Sequence, residues 1–121
     1  MVEDLRAKTG GSIRFVAWEG VFRAPEWADL VVNATSIGLY PDVEAMPPVD
    51  LSGVGEGCLV CDAVFNPAET RLLRAARERG LRTLDGLSML VYQGVTGFQL
   101  WTGLDPDEGA MKAALRAALG V

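Results

Sequence analysis

Short apolar runs alternate along this chain with stretches of helical periodicity, and each run stops abruptly at polar or glycine-bearing residues. The clearest case is Ala28-Asp29-Leu30-Val31-Val32, followed at once by Asn33-Ala34-Thr35-Ser36-Ile37-Gly38. The run predicts a buried strand over residues 30–33, with polar groups and open backbone at its carboxyl end. Residues 58–64 predict another strand, apolar on both faces except for Asp62, and residues 81–84 a shorter one. Near the start, Ile13-Arg14-Phe15-Val16-Ala17 reads as a short strand, and residues 19–27 as a connection or brief helix. Residues 40–57, holding Pro41, Pro47, Pro48 and three glycines, read mostly as loop.

Four helices fit between and after these runs. Residues 2–8 form one, stopped by Gly10-Gly11. Residues 70–79 form the second: Thr70 can cap it, Leu72, Leu73 and Ala76 give it an apolar stripe, and Gly80 ends it. Residues 88–101 are apolar nearly all round, which predicts a buried helix. Gly94 and Gly97 within it cost about 1 kcal/mol each against alanine, which points to close approach of a backbone or a ligand. The last helix opens at Asp105-Pro106-Asp107-Glu108, with Asp105 as N-cap, Pro106 at the first helical position and Glu108 reaching back.

Strands alternating with helices predict an α/β fold with a parallel sheet of about four strands and flanking helices. A glycine-rich phosphate fingerprint between a first strand and helix is absent from these residues. Gly53-Val54-Gly55-Glu56-Gly57 leads into a strand, so its N–H groups would not converge on an anion. At 121 residues and 50% hydrophobic, the chain suffices for one modest core. A net charge of −5, spread along the sequence, disfavours nucleic acid and anionic membranes as partners. No run is long enough to span a bilayer and no charged-then-apolar leader is present, so a cytoplasmic protein is expected.

Candidate chemistry is sparse. Cys58 and Cys61 lie three apart on a predicted strand and so on opposite faces, which gives them structural roles rather than a metal or redox pairing. With no histidine, acid–base work falls to carboxylates, Lys8, Lys112, tyrosine or groups outside these residues. Asp105 and Asp107 serve the helix cap, and no metal site is expected. Asn33, Thr35 and Ser36 either close local turns or donate to a ligand. Asp62, inside an apolar strand, needs hydrogen-bond partners and is expected to order the neighbouring strand-end loops. Gly86 either lets a flat ring lie against the main chain or makes a tight turn at positive φ. Gln93, flanked by Val91, Tyr92 and Val95, either bridges backbone groups or faces a polar ligand, because a buried unsatisfied amide costs about 1–3 kcal/mol.

Four ordered blocks together resemble the shikimate dehydrogenase family: Asn33-Ala34-Thr35-Ser36-x-Gly38, Asp62-x-x-Phe65-Asn66-Pro67-x-x-Thr70, Asp85-Gly86-x-x-Met89-Leu90-x-x-Gln93 and Phe98-x-x-Trp101-Thr102-Gly103. The resemblance runs from about residue 28 to the end. It implies a partial Rossmann-like NADP-binding domain over residues 1–103, and a C-terminal helix in residues 104–121 that packs on a substrate domain. It implies NADP-linked interconversion of 3-dehydroshikimate and shikimate, a step toward chorismate and the aromatic amino acids. Asn33, Thr35, Ser36, Ala63, Gly86 and Met89 would stand near the cofactor, and Phe65 and Gln93 near a shikimate-like substrate. Phe65 stands where the family usually carries a tyrosine. The family's catalytic Lys and Asp, its phosphate loop and the residues that select the 2′-phosphate fall outside these residues, so the chain alone is expected to be inactive.

Two structural expectations follow. The strand ends should open onto one crevice, with Gln93 projecting into it. The strand at residues 30–33 should present an exposed apolar edge, which pairs either with residues 13–17 or with a second copy in a homo-oligomer. The competing functions are a non-catalytic nucleotide- or metabolite-binding module, and an interaction domain that assembles through that edge.

Overall fold

The computed structural model describes residues 1–121. In chain order the elements are α1 (Val2–Thr9), β1 (Phe22–Arg23), β2 (Leu30–Asn33), β3 (Val49–Asp50), β4 (Leu59–Asp62), α2 (Arg71–Glu78), β5 (Arg82–Leu84), α3 (Leu87–Thr102) and α4 (Glu108–Leu119). The fold is α/β, with parallel strands throughout and helices flanking them.

A three-stranded parallel sheet in the order β2-β4-β5 forms its centre. Leu30 pairs with Leu59 and Asn33 with Asp62, while Leu59 pairs with Arg82 and Cys61 with Leu84. Side chains alternate across a strand, so Val31, Asn33, Val60 and Asp62 share one face, and Leu30, Val32, Leu59, Cys61 and Leu84 share the other. Helix α2 covers the first face. Its Leu72, Leu73 and Ala76 are fully buried and form one core with Val60, Cys58, Leu81, Ala24, Leu51 and Val54. Burying each such leucine contributes about 1.5–3 kcal/mol. The helix starts where expected, because the Thr70 hydroxyl accepts from the Leu73 N–H at 3.3 Å.

Several expectations need correction. Residues 13–17 form no strand; Phe15 is 72% exposed, and the Ile13 carbonyl accepts from the Arg6 guanidinium instead. A strand persists only with a partner edge, and this segment finds none. It therefore does not pair with β2, whose outer edge stays free. No helix forms over residues 19–27; the two residues of β1 pair there with β3, inside the stretch expected to be loop. The cap of α4 is Asp107, which accepts from Ala110 N at 2.9 Å, while Asp105 accepts from the Gln99 amide at 2.8 Å. The register of the cap thus shifts two residues, since the side chain of α3 claims the first aspartate.

Helix α3 is not buried all round. Only Leu87, Val91 and Val95 are buried, a single stripe at four-residue spacing. It packs against α4 and not on the sheet, with Met111 set against Gly94 so that a Cβ there would meet the methionine methyl at 2.7 Å. Lys112 lies over the Tyr92 ring, 5.2 Å from its centre. The opposite side of α3 leaves Leu100 and Trp101 largely in solvent. No helix of the protein is long and apolar enough to cross a membrane.

Candidate functional site

Parallel strands bring all their carboxyl ends to one side, where open α/β sheets take their ligands. Here Asn33 and Asp62 end β2 and β4 opposite each other, buried to 5% and 2% exposure. One Asp62 oxygen accepts from the Asn33 amide and from Val64 N–H, both at 2.9 Å, and the other accepts from the Thr70 hydroxyl at 2.7 Å. The Asn33 amide also donates to the Ile37 carbonyl at 3.2 Å. Its own oxygen accepts from the Thr35 N–H at 3.1 Å and the Thr35 hydroxyl at 2.7 Å. The Thr35 hydroxyl then accepts from Ile37 N–H at 3.2 Å. Every buried side-chain nitrogen and oxygen in the chain has a partner.

This closed lattice sorts the polar residues of the first turn. Asn33 uses both amide hydrogens and both carbonyl lone pairs inside the protein. It stands beneath the turn as a support and offers no free group to a ligand. Thr35 and Ser36 are exposed above it. The ordering role expected of Asp62 is what the geometry displays: one carboxylate ties together the ends of two strands, the 33–38 turn and the start of α2. The sequence alone assigns Thr70 only to the helix cap. Its hydroxyl does both tasks, donating to Asp62 and accepting from Leu73, and the available signal is the spacing of Asp62 and Thr70 on either side of a single loop.

Ala63 and Gly86 sit beside this lattice. Ala63 N–H donates to the Asn33 carbonyl at 2.9 Å, and Gly86 packs against the next carbonyls. A Cβ at Gly86 would stand 2.5 Å from the Val64 oxygen and 2.6 Å from the Ala63 oxygen. Glycine is therefore required here by the protein's own backbone. The backbone angle is φ −82, so the expected positive-φ turn does not occur, and the side where a Cβ would lie is filled by main chain rather than open to a ring. Asp85 accepts from Leu87 N–H at 3.1 Å and so closes the turn that leads into α3. Phe65 lies half-buried in the loop after β4.

Met89 and Gln93 lie one turn apart on the exposed side of α3, lining an open groove with Tyr92, Thr96, Gly97 and Leu100. The Gln93 amide is in solvent, so the cost of burying it does not arise. Asn33 and Thr35 line a different hollow, an apolar cavity of about 390 Å³ walled by Trp18, Phe22, Trp27 and Leu30 along the free edge of β2. One crevice does not hold both Thr35 and Gln93. The two halves of the expected site touch where Gly86 packs against the Ala63 and Val64 carbonyls, while α3 itself leans on α4 instead of the sheet.

The remaining reactive groups lie elsewhere. Lys8 pairs with Asp4 at 2.9 Å within α1, and Lys112 is held over Tyr92. No group of three or more His, Cys, Asp or Glu residues stands close enough to hold a metal ion. Both cysteines are free; burial pushes both thiols up from their ordinary value, and the Asp29 carboxylate adds to the effect at Cys58.

Residues 86–116, spanning α3 and most of α4, match the profile of the shikimate 5′-dehydrogenase C-terminal domain. An NADP(+) shikimate dehydrogenase of Methanococcus aeolicus is 42% identical over 87 residues, covering 72% of this chain and 31% of the relative. Among solved structures, 5-ketofructose reductase of a Gluconobacter species aligns with a TM-score of 0.74 and 43% identity, over 84% of this chain and 36% of that one. The shikimate 5-dehydrogenase of Thermus thermophilus, solved with NADP(H) and shikimate, aligns with a TM-score of 0.68 and 44% identity, over 78% and 35%. The chain thus spans about a third of the length of the relatives it matches.

Proposed function

We propose, from the premise that the chain belongs to the shikimate dehydrogenase family as its C-terminal part, that it forms the nicotinamide-side half of an NADP-dependent oxidoreductase. The observation that carries this reading is the closed lattice around Asp62, which fixes a turn while leaving Thr35 and Ser36 exposed at the sheet's carboxyl edge. Toward the nicotinamide and ribose end of such a cofactor the chain offers the exposed Ser36 hydroxyl, the remaining lone pair of the Thr35 hydroxyl and the small Ala63, with Met89, at 43% exposure, on the separate groove of α3. It offers nothing for the pyrophosphate, because no glycine-rich turn opens a helix within these residues. When bound, the cofactor supplies or removes a hydride. The chain's own residues hold and orient; Phe65 and Gln93 would face the substrate, and the proton would be exchanged with a Lys–Asp pair outside these residues.

The substrate that goes with this reading is shikimate and its 3-keto partner. A second substrate class is favoured by the likeness to the 5-ketofructose reductase and by Phe65, which cannot offer a phenolic hydroxyl to a substrate: an open or differently substituted keto-polyol. Residues 104–121 would act as an arm that packs on a substrate domain, using whatever face of α4 is not spent on α3. The free edge of β2 would allow self-association, and a cytoplasmic setting accompanies the biosynthetic role. Calorimetry on the 121-residue chain tests the core of the proposal. Saturable binding of NADP, weakened by Thr35→Val, is expected; absence of any heat with NADP or NAD would overturn it. The purified chain should show no turnover, neither with shikimate and NADP nor with a ketohexose and NADPH. Appreciable turnover by the chain alone would contradict the assignment of the proton donor.

A further inference from the structure

We propose that Asp62 and Thr70 are positioning residues for the ligand-facing turn, so that the cap of α2 and the presentation of Thr35 are set by one shared carboxylate. This rests on the cofactor reading above for its effect on binding, but its geometry stands by itself. Thr70 does not line the cavity that Asn33 and Thr35 border, and it is only 1% exposed. It reaches the turn through three successive hydrogen bonds: Thr70 hydroxyl to Asp62 at 2.7 Å, Asn33 amide to Asp62 at 2.9 Å, and Thr35 hydroxyl to Asn33 at 2.7 Å.

Each link constrains the next by donor–acceptor logic. An ionised carboxylate only accepts, so Asp62 dictates that the Asn33 side chain turn its NH2 toward β4. That leaves the Asn33 oxygen facing the opposite way, toward Thr35, where it accepts both the backbone N–H and the hydroxyl. The Thr35 hydroxyl thereby spends its hydrogen inward and presents its remaining lone pair outward, an acceptor aimed at solvent. A ligand meeting this turn finds an acceptor at Thr35, which suits a hydroxyl of a ribose or the amide NH2 of a carboxamide. Were Asp62 replaced by a group that donates, the Asn33 amide could turn over, and Thr35 would switch from acceptor to donor at the surface. Thr70 keeps the second carboxylate oxygen occupied, so the carboxylate does not rotate away from Asn33. Charged hydrogen bonds of this kind are about twice as strong as neutral ones, and a chain of them in a buried place reinforces itself.

The test uses the full chain and three substitutions. Thr70→Val removes the hydroxyl while keeping the shape, Thr70→Ser restores it, and Ala76→Gly weakens α2 by helix propensity without touching Asp62. Amide hydrogen exchange at Thr35 and Ile37 is followed by NMR, together with thermal midpoints and NADP affinity by calorimetry. Thr70→Val should speed exchange at Thr35 and Ile37 by about tenfold and weaken NADP by a similar factor, the order expected for one lost hydrogen bond to a charged group. Thr70→Ser should return both to the parent values, and Ala76→Gly should lower the midpoint while leaving both unchanged. A Thr70→Val protein that melts lower but exchanges normally at Thr35 and Ile37 would overturn the positioning claim. So would an Ala76→Gly protein that exchanges as fast as Thr70→Val. Exchange that follows the expected pattern in a chain that takes up no NADP would uphold the positioning claim and overturn the cofactor reading alone.

Discussion

The two faces of the three-stranded sheet are built from similar residues and end in opposite conditions. On one, Val60 is fully buried under α2, and the row continues into Asn33 and Asp62, polar groups that the structure buries and satisfies completely. On the other, Leu30, Val32 and Leu84 remain more than half exposed, with no helix laid across them. Purely parallel sheets are usually covered on both sides. The contrast separates two kinds of order. The covered face is held by α2, which follows β4 through one loop, and by residues from earlier in the chain, Asn33 in the carboxylate lattice and Ala24, Leu51 and Val54 in the core. The bare face awaits contacts these residues do not supply, and the same holds for the free edge of β2 and the outer side of α3.

Removing the carboxylate tests the covered face most severely. Asp62→Ala leaves one Asn33 amide hydrogen, the Val64 N–H and the Thr70 hydroxyl without an acceptor, and should cost about 4 kcal/mol in urea unfolding. That is a large share of the stability of any domain this size. Gly86→Ala should come next, at about 3 kcal/mol, because the new methyl collides with two backbone oxygens that do not move independently. A matched pair then addresses the faces directly. Val60→Thr buries an unpartnered hydroxyl and should cost about 2 kcal/mol, whereas Val32→Thr, the same change at an exposed position, should shift stability by less than about 0.5 kcal/mol. Equal losses from that pair would mean that the bare face is covered in solution, by a second copy or otherwise, and sedimentation at two concentrations would identify self-association.

The smallest effect is a pH dependence in the β1–β3 pair. Hydrogen bonds from the Ser52 backbone and hydroxyl, followed by Arg23 at 3.1 Å, hold Asp50 below its ordinary value of 3.8. A carboxyl depressed in the folded state stabilises it above the unfolded value and loses that contribution as pH falls through the lowered one. Asp50→Asn should therefore lower stability slightly near neutral pH, where the Ser52 and Arg23 contacts to the carboxylate are lost, and its profile should meet the parent's as pH falls through the lowered value. A stability difference between parent and variant that does not shrink as pH falls below that ordinary 3.8 would remove Asp50 from the account.

What the sequence made legible follows the same division. The strand ending at Asn33, the strand within residues 58–64 (which the structure ends at Asp62) and the helix capped by Thr70 could be read directly, since run length, capping residue and apolar stripe are local signals. The need of Asp62 for partners was also legible, because a carboxylate inside an apolar strand demands them. The segment at residues 13–17 misled, because alternation of apolar residues expresses a capacity for pairing and says nothing of whether an edge is at hand. Helix α3 misled for a related reason: an all-round apolar surface signals burial by something, and here only α4 supplies it. The α4 cap was displaced because Gln99, six residues before Asp105, competes for that aspartate, a side-chain preference that local motifs do not encode. For the candidate site, the residues around Asn33, Ala63 and Gly86 cluster at the strand ends, while Gln93 opens onto a separate groove.

Since β2, β4 and β5 run the same way, the three connections leaving them, after Asn33, Asp62 and Leu84, emerge side by side. Mutations confined to those connections can retune what is recognised while the hydrophobic layer beneath α2 stays untouched. The buried carboxylate clasp ties the first two of those connections to the start of α2, so a change in a loop tip above it does not reach the layer below.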